Sequence, residues 1–179
     1  MIVGLLFLAF AFFAVAQAGA VRNGGQSAAD AAALAAAQDD RDQLFEGFLD
    51  ALDDEAVWQD WLDGLGDIAG DGCGEADHLA GQNRSDVLSC DQTTREGDDG
   101  YTVGVETRFD TGKTFVPGTD NKKAKATATA VIKPLCDFDE DAAGDEIEIT
   151  CDGEDFTIDP DDIDIDLKPS DLFAVVLVE

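Results

Sequence analysis

The sequence predicts an α+β chain in which one long N-terminal α-helix, apolar and then amphipathic, precedes a mostly antiparallel β-sheet domain with disulfide-braced loops. Three observations predict it. The first 21 residues are apolar or small almost without exception. Apolar residues then recur at helical spacing as far as Leu65. From Tyr101 onward the pattern changes to alternation with a period of two, between four dispersed cysteines. The order of a helix followed by strands is the α+β arrangement. It divides the chain into an apolar helix segment over 1–21, an Ala-rich and amphipathic continuation over 22–69, and an acidic sheet domain over 70–179.

The opening run MIVGLLFLAFAFFAVA, continued after Gln17 by Ala18, Gly19, Ala20 and Val21, holds no charged residue. As a helix rising ~1.5 Å per residue it reaches roughly 30 Å, the thickness of a bilayer's hydrocarbon core. A secretory signal is one reading, with Ala18 and Ala20 as the small residues of a cleavage site, although no Lys or Arg precedes the run. A permanent membrane anchor is another. Leu5, Phe7, Phe10, Phe12 and Phe13 are its bulky members.

Beyond Arg22 the helical signal persists in QSAADAAALAAAQDDRDQL, rich in strong helix formers. Ala28, Ala32 and Ala36 form one row at four-residue spacing, and Ala29, Ala33 and Ala37 a second. Rows of small residues let helices approach closely, in membranes especially. Gly24 and Gly25 interrupt the pattern, and a kink or loosened turn is expected there. Leu44, Phe45, Phe48, Leu49, Leu52, Val57, Trp61, Leu62 and Leu65 then mark an amphipathic stripe. Trp58 and Trp61 read as anchors of that helix on a sheet, and Gly64, Gly66 and Gly70 end it.

The combination of an apolar helix with RNGGQSAADAAALAAAQDDRDQ directly after it resembles the N-terminal region of TadE/TadG-like (Tad pilus assembly) proteins, particularly those of actinobacteria. The resemblance covers about the first 45 residues. It implies a pilin-like fold and a third reading of the apolar run, as a tail held first in the membrane and later in a filament core, after removal of a basic leader. The implied function is a structural subunit of a surface filament, major or minor, assembling through its N-terminal helix with itself or other pilins and with the pilus machinery. It is expected at the cell surface and is not expected to be an enzyme. A bulky residue at Ala29 or Ala33 is expected to weaken assembly while leaving the sheet domain folded. One departure is Leu5. Type IV pilins usually carry an acidic residue at the fifth mature position, so with Met1 as the mature start that means of registering subunits is missing.

Four cysteines permit three pairings. Cys73 with Cys90 and Cys136 with Cys151 each close a short, turn-rich loop, which favours that pairing; each bridge contributes ~3 kcal/mol in an oxidising compartment. The absence of short CxxC knuckles argues against zinc.

Tyr101, Val103, Val105 and Phe109 alternate with polar residues as in a half-buried strand. FVPGTDN is a turn signal. Ala124, Ala126, Ala128, Ala130 and Ile132 alternate with Lys125, Thr127, Thr129, Val131 and Lys133, predicting a long strand whose Ala face lets a helix lie close. Further strands begin at Ile147, at Phe156 and at Leu172.

With 40 acidic against 11 basic residues and a net charge of −29, the chain repels phosphate backbones, so nucleic acid is excluded as a partner. In DFDEDAAGDEIE, Asp137, Asp139, Asp141, Asp145 and Glu148 stand at positions 1, 3, 5, 9 and 12 of an EF-hand-type loop, a spacing of hard oxygens that suits Ca²⁺. Position six is Ala142 instead of Gly and no flanking helices are evident, so an acidic solvated loop is the default and no other cofactor is expected. A membrane-anchored extracellular binding module, Ca²⁺-dependent and unpolymerised, is the alternative function this loop supports. DPDDIDIDLKPSD reads as an edge strand with a charged outer face. His78 reads as an ordinary exposed histidine, and Asn83-Arg84-Ser85 matches the N-glycosylation pattern.

Overall fold

A computed structural model describes residues 2–68, 70, 72–112, 120–138, 146–160 and 167–179. Helix α1 spans Ile2–Asp50, α2 Glu55–Leu62 and α3 Gly72–Gln82. Strands β1 (Ser85–Arg95), β2 (Asp98–Thr107) and β3 (Lys125–Pro134) follow, then β4 (Cys136–Phe138), β5 (Ile147–Cys151) and β6 (Glu154–Ile158). A short helix, α4 (Pro169–Leu172), leads into β7 (Phe173–Val178). One sheet has the order β1-β2-β3-β7 and the other β4-β5-β6. Every pairing is antiparallel.

The long helix ends earlier than the apolar spacing predicts. Residues 51–53 form a turn, and Asp54, extended at φ −126°, stands at the N-cap position of a separate α2 without a side-chain hydrogen bond to it. Asp favours helix ends over helix interior, as the pair Asp53-Asp54 does here, and beyond the break Trp58 and Leu62 of the stripe are buried while Val57 and Leu65 are exposed. At Gly24 and Gly25, by contrast, α1 runs on without interruption. These glycines serve close approach. A Cβ on Gly24 would stand 2.7 Å from Phe109 Cζ, and one on Gly25 3.1 Å from the Ala124 methyl.

Helix α1 crosses the larger sheet, packing on β2, β3 and β7, with α3 beside it. Along β3, Ala128, Ala130 and Ile132 are buried, as are Val103 and Val105 of β2. The second sheet joins through aromatic contacts: Trp58 of α2 meets Phe48 of α1 edge-on at 6.2 Å and Phe138 of β4 at 5.1 Å. Disulfides join Cys73 to Cys90, tying α3 to β1, and Cys136 to Cys151, tying β4 to β5. The segment between Cys73 and Cys90, in which the sequence shows no long element, holds most of α3 and the start of β1.

One polar contact is built into the core. Tyr101 is 2% exposed and Asp40 4% exposed. The Tyr101 hydroxyl accepts a hydrogen bond from Gln92 Nε2 at 3.3 Å and lies beside the Asp40 carboxylate. Burial pushes the Tyr101 phenol above its ordinary value, and the Asp40 charge pushes it the same way. A raised acid pKa in the folded state stabilises the fold below the unfolded value of about 10 and loses that stabilisation as pH rises through the folded value. The resistance of the chain to urea is therefore expected to fall above about pH 10, and Tyr101→Phe to remove that part of the loss. Tyr101 is the sole tyrosine, so phenolate absorbance reads this one group. Titration at the ordinary value would refute the assignment.

Candidate functional site

The feature that stands apart from the fold is the first part of α1. Residues 2–20 extend from the domain as a bare helix, ~28 Å long at ~1.5 Å per residue. Leu5 is 66% exposed, Phe12 81% and Phe13 61%. Phe10 is also exposed, and the side chain of Phe7 lies outside the described residues. Soluble domains seldom leave a continuous apolar surface of this size uncovered, so it marks an interaction site. The helix is long and apolar enough to cross a membrane, with a mean hydropathy of 2.1 over its most apolar window. An anchor or signal fits it, and the two disulfides fit an oxidising, extracytoplasmic setting.

The domain takes hold of the helix at Val21 and Gly25, both buried. From there the Ala rows are spent inside the chain. Ala28, Ala29, Ala32, Ala33, Ala36 and Ala37 are each 0% exposed. The rows expected to serve assembly thus pack, within one copy of the chain, against its own elements. Methyl groups on two adjoining faces let α1 sit close to its own sheet and to α3, and that packing leaves them no outer surface. The apolar arm and the Ala rows, one pattern in sequence, are opposite in exposure.

No known family, curated protein or solved structure matches the chain.

The acidic loop divides differently. Asp137 lies in β4 and Glu148 in β5, and the pairing of Asp137 with Thr150 places all three on one face of the small sheet. Asp139, Asp141 and Asp145 lie outside the described residues. Among the described residues no group of three or more His, Cys, Asp or Glu is placed to hold a metal ion. Of the second acidic segment, 161–166 lies outside the described residues and 169–172 is α4. The turn signal at 115–119 lies outside them too.

His78 sits on the outer side of α3, with Nδ1 3.3 Å from Glu75 and Nε2 3.0 Å from Gln82. In the glycosylation triplet Asn83 is exposed, with Nδ2 donating to the Leu79 carbonyl at 2.9 Å, while Ser85 is fully buried. A surface groove of about 450 Å³ between α1 and α3 is lined by Ala31, Leu34, Asp39, Asp42, Glu75 and Leu79 among others. It brings together no nucleophile with a base. The candidate site is the arm, an exposed apolar surface.

Proposed function

We propose that the chain is a structural, non-enzymatic subunit of a cell-surface filament, pilin-like in plan. The arm holds it in a membrane before assembly and in the filament core afterwards. The observation that carries this reading is the unbroken course of α1, which joins an uncovered apolar arm directly to the centre of an acidic, disulfide-braced domain. A helix that exposes most of its described apolar side chains needs surroundings as apolar as itself, and lipid or a bundle of like helices supplies them. The remaining charge keeps the domains in solvent.

The test is electron microscopy of filaments sheared from the producing cells, with mass spectrometry of their subunits. The chain is expected in the filament fraction. Its complete retention in the membrane fraction of cells that carry normal filaments would overturn the proposal.

A further inference from the structure

We propose that the end of the domain from which the arm emerges is a docking surface for anionic lipid headgroups, formed by Arg22, Arg84, Arg108, Lys122, Lys123 and Lys125. The inference rests on the reading of the arm as membrane-inserted and adds what the domain itself meets at the bilayer surface.

Three strand ends converge at the root of the arm. Ser85, which opens β1, pairs with Thr107, which closes β2. Thr107 N donates to the Ala124 carbonyl at 2.9 Å, just before β3. Both Thr107 and Ala124 lie against Gly25 of α1. Beyond these ends Thr111 N donates to the Lys122 carbonyl at 3.1 Å. Arg108 N donates to the Arg84 carbonyl at 2.8 Å. The Arg84 guanidinium lies 5.0 Å from the centre of the Phe109 ring, which packs on Gly24. Arg22 is the first charged residue after the apolar run. All six cations are exposed.

The balance of charge here is far less acidic than elsewhere. The whole chain has 40 carboxylates against 11 cations, whereas among the described residues these six cations stand with Asp86, Glu106, Asp110 and Asp120, and with Asp30 and Glu179 in the groove beside Gln26 and Thr127. Arg108 pairs with Asp86 at 2.7 Å. Glu106 is shared between Lys123 at 3.5 Å and Lys125 at 3.7 Å. Arg22 and Lys122 form no ion pair among the described residues. With residues 2–21 filling the hydrocarbon core, this surface is held at headgroup level, inside the screening length of about 8 Å at physiological salt. Each cation placed there strengthens attachment to an anionic surface by about fivefold. Nucleic acid offers the same phosphates, but the acidic remainder of the chain repels a long polyanion.

The experiment adds the full-length chain to vesicles of phosphatidylcholine alone or of phosphatidylcholine mixed with phosphatidylglycerol. It reads co-flotation and amide hydrogen exchange over 107–112 and 121–124. Phosphatidylglycerol is expected to raise partitioning by about tenfold or more and to slow those amides. Both gains should vanish in a variant carrying Arg22→Gln, Arg84→Gln, Lys122→Gln and Lys123→Gln, whose partitioning into neutral vesicles is unchanged. Should that variant misfold, Arg22→Gln with Lys122→Gln gives the same test at smaller amplitude. Equal behaviour in the two vesicles would overturn the proposal. So would protection that arises in neutral vesicles and grows with protein density, which would assign the surface to acidic patches of a second copy. Failure to float with neutral vesicles would count against insertion of the arm alone, leaving the difference between the two lipids to judge the cationic surface.

Discussion

The full-length chain carrying Ala33→Leu is expected to lose about 3 kcal/mol of folding stability, as overpacking of a close-packed interior does. Ala33 is fully buried, in a row with Ala29 and Ala37 that is buried throughout. Neither α1 nor the sheet can give way locally, because α3 is tied to β1 through Cys73–Cys90 and packs on the same helix. Against a total of about 5–15 kcal/mol for a typical domain, that loss is large. Urea unfolding in detergent measures it, and depletion of the variant from cells should accompany it. Normal stability combined with lost filaments would return the Ala row to the surface between subunits.

Paired substitution of Leu8→Lys and Phe12→Lys is expected to do the reverse, leaving the domain folded and abolishing insertion. These side chains are 62% and 81% exposed and lie one turn apart on the arm. A lysine near the centre of a spanning helix costs about 3 kcal/mol, so two exceed what an otherwise favourable span tolerates. Domain stability should stay within about 0.5 kcal/mol, as for surface changes generally. Membrane fractionation reads the first effect, and urea unfolding with an assay for free thiols reads the second. Unchanged insertion would sink the assignment of the arm to lipid.

The α+β order was legible because the strongest signals in the sequence belong to the elements that bury or expose most apolar surface. Lys125–Ala130 alternates strictly and lies in β3; the apolar spacing after Arg22 is helical and lies in α1. What failed to show was weak in local pattern. Edge strand β1 is mostly exposed, and an irregularity between Val87 and Ser89 shifts its register, so no clean alternation survives. Helix α3 contains Gly72, Gly74 and Gly81, which read as loop, although Cys73, Ala76 and Ala80 have the helical spacing that marks its inner face. Where the Ala rows pack within the chain was not legible. A methyl stripe suits a sheet of the same chain and a helix of another equally well, and the sequence does not show β2, β3 and α3 gathered around it.

Because the arm and the central strut of the domain are one helix, a pull on the arm acts along the axis of the core. Such a load shears α1 past β2, β3 and β7 together, so many contacts must rupture in a single event instead of peeling away in turn. The resistance is then set by the barrier to that concerted slip, a rate and not an equilibrium. Cys73–Cys90 fastens α3, α1's neighbour, to β1 and so braces the same plane against slip. The fold resists tension applied along the arm.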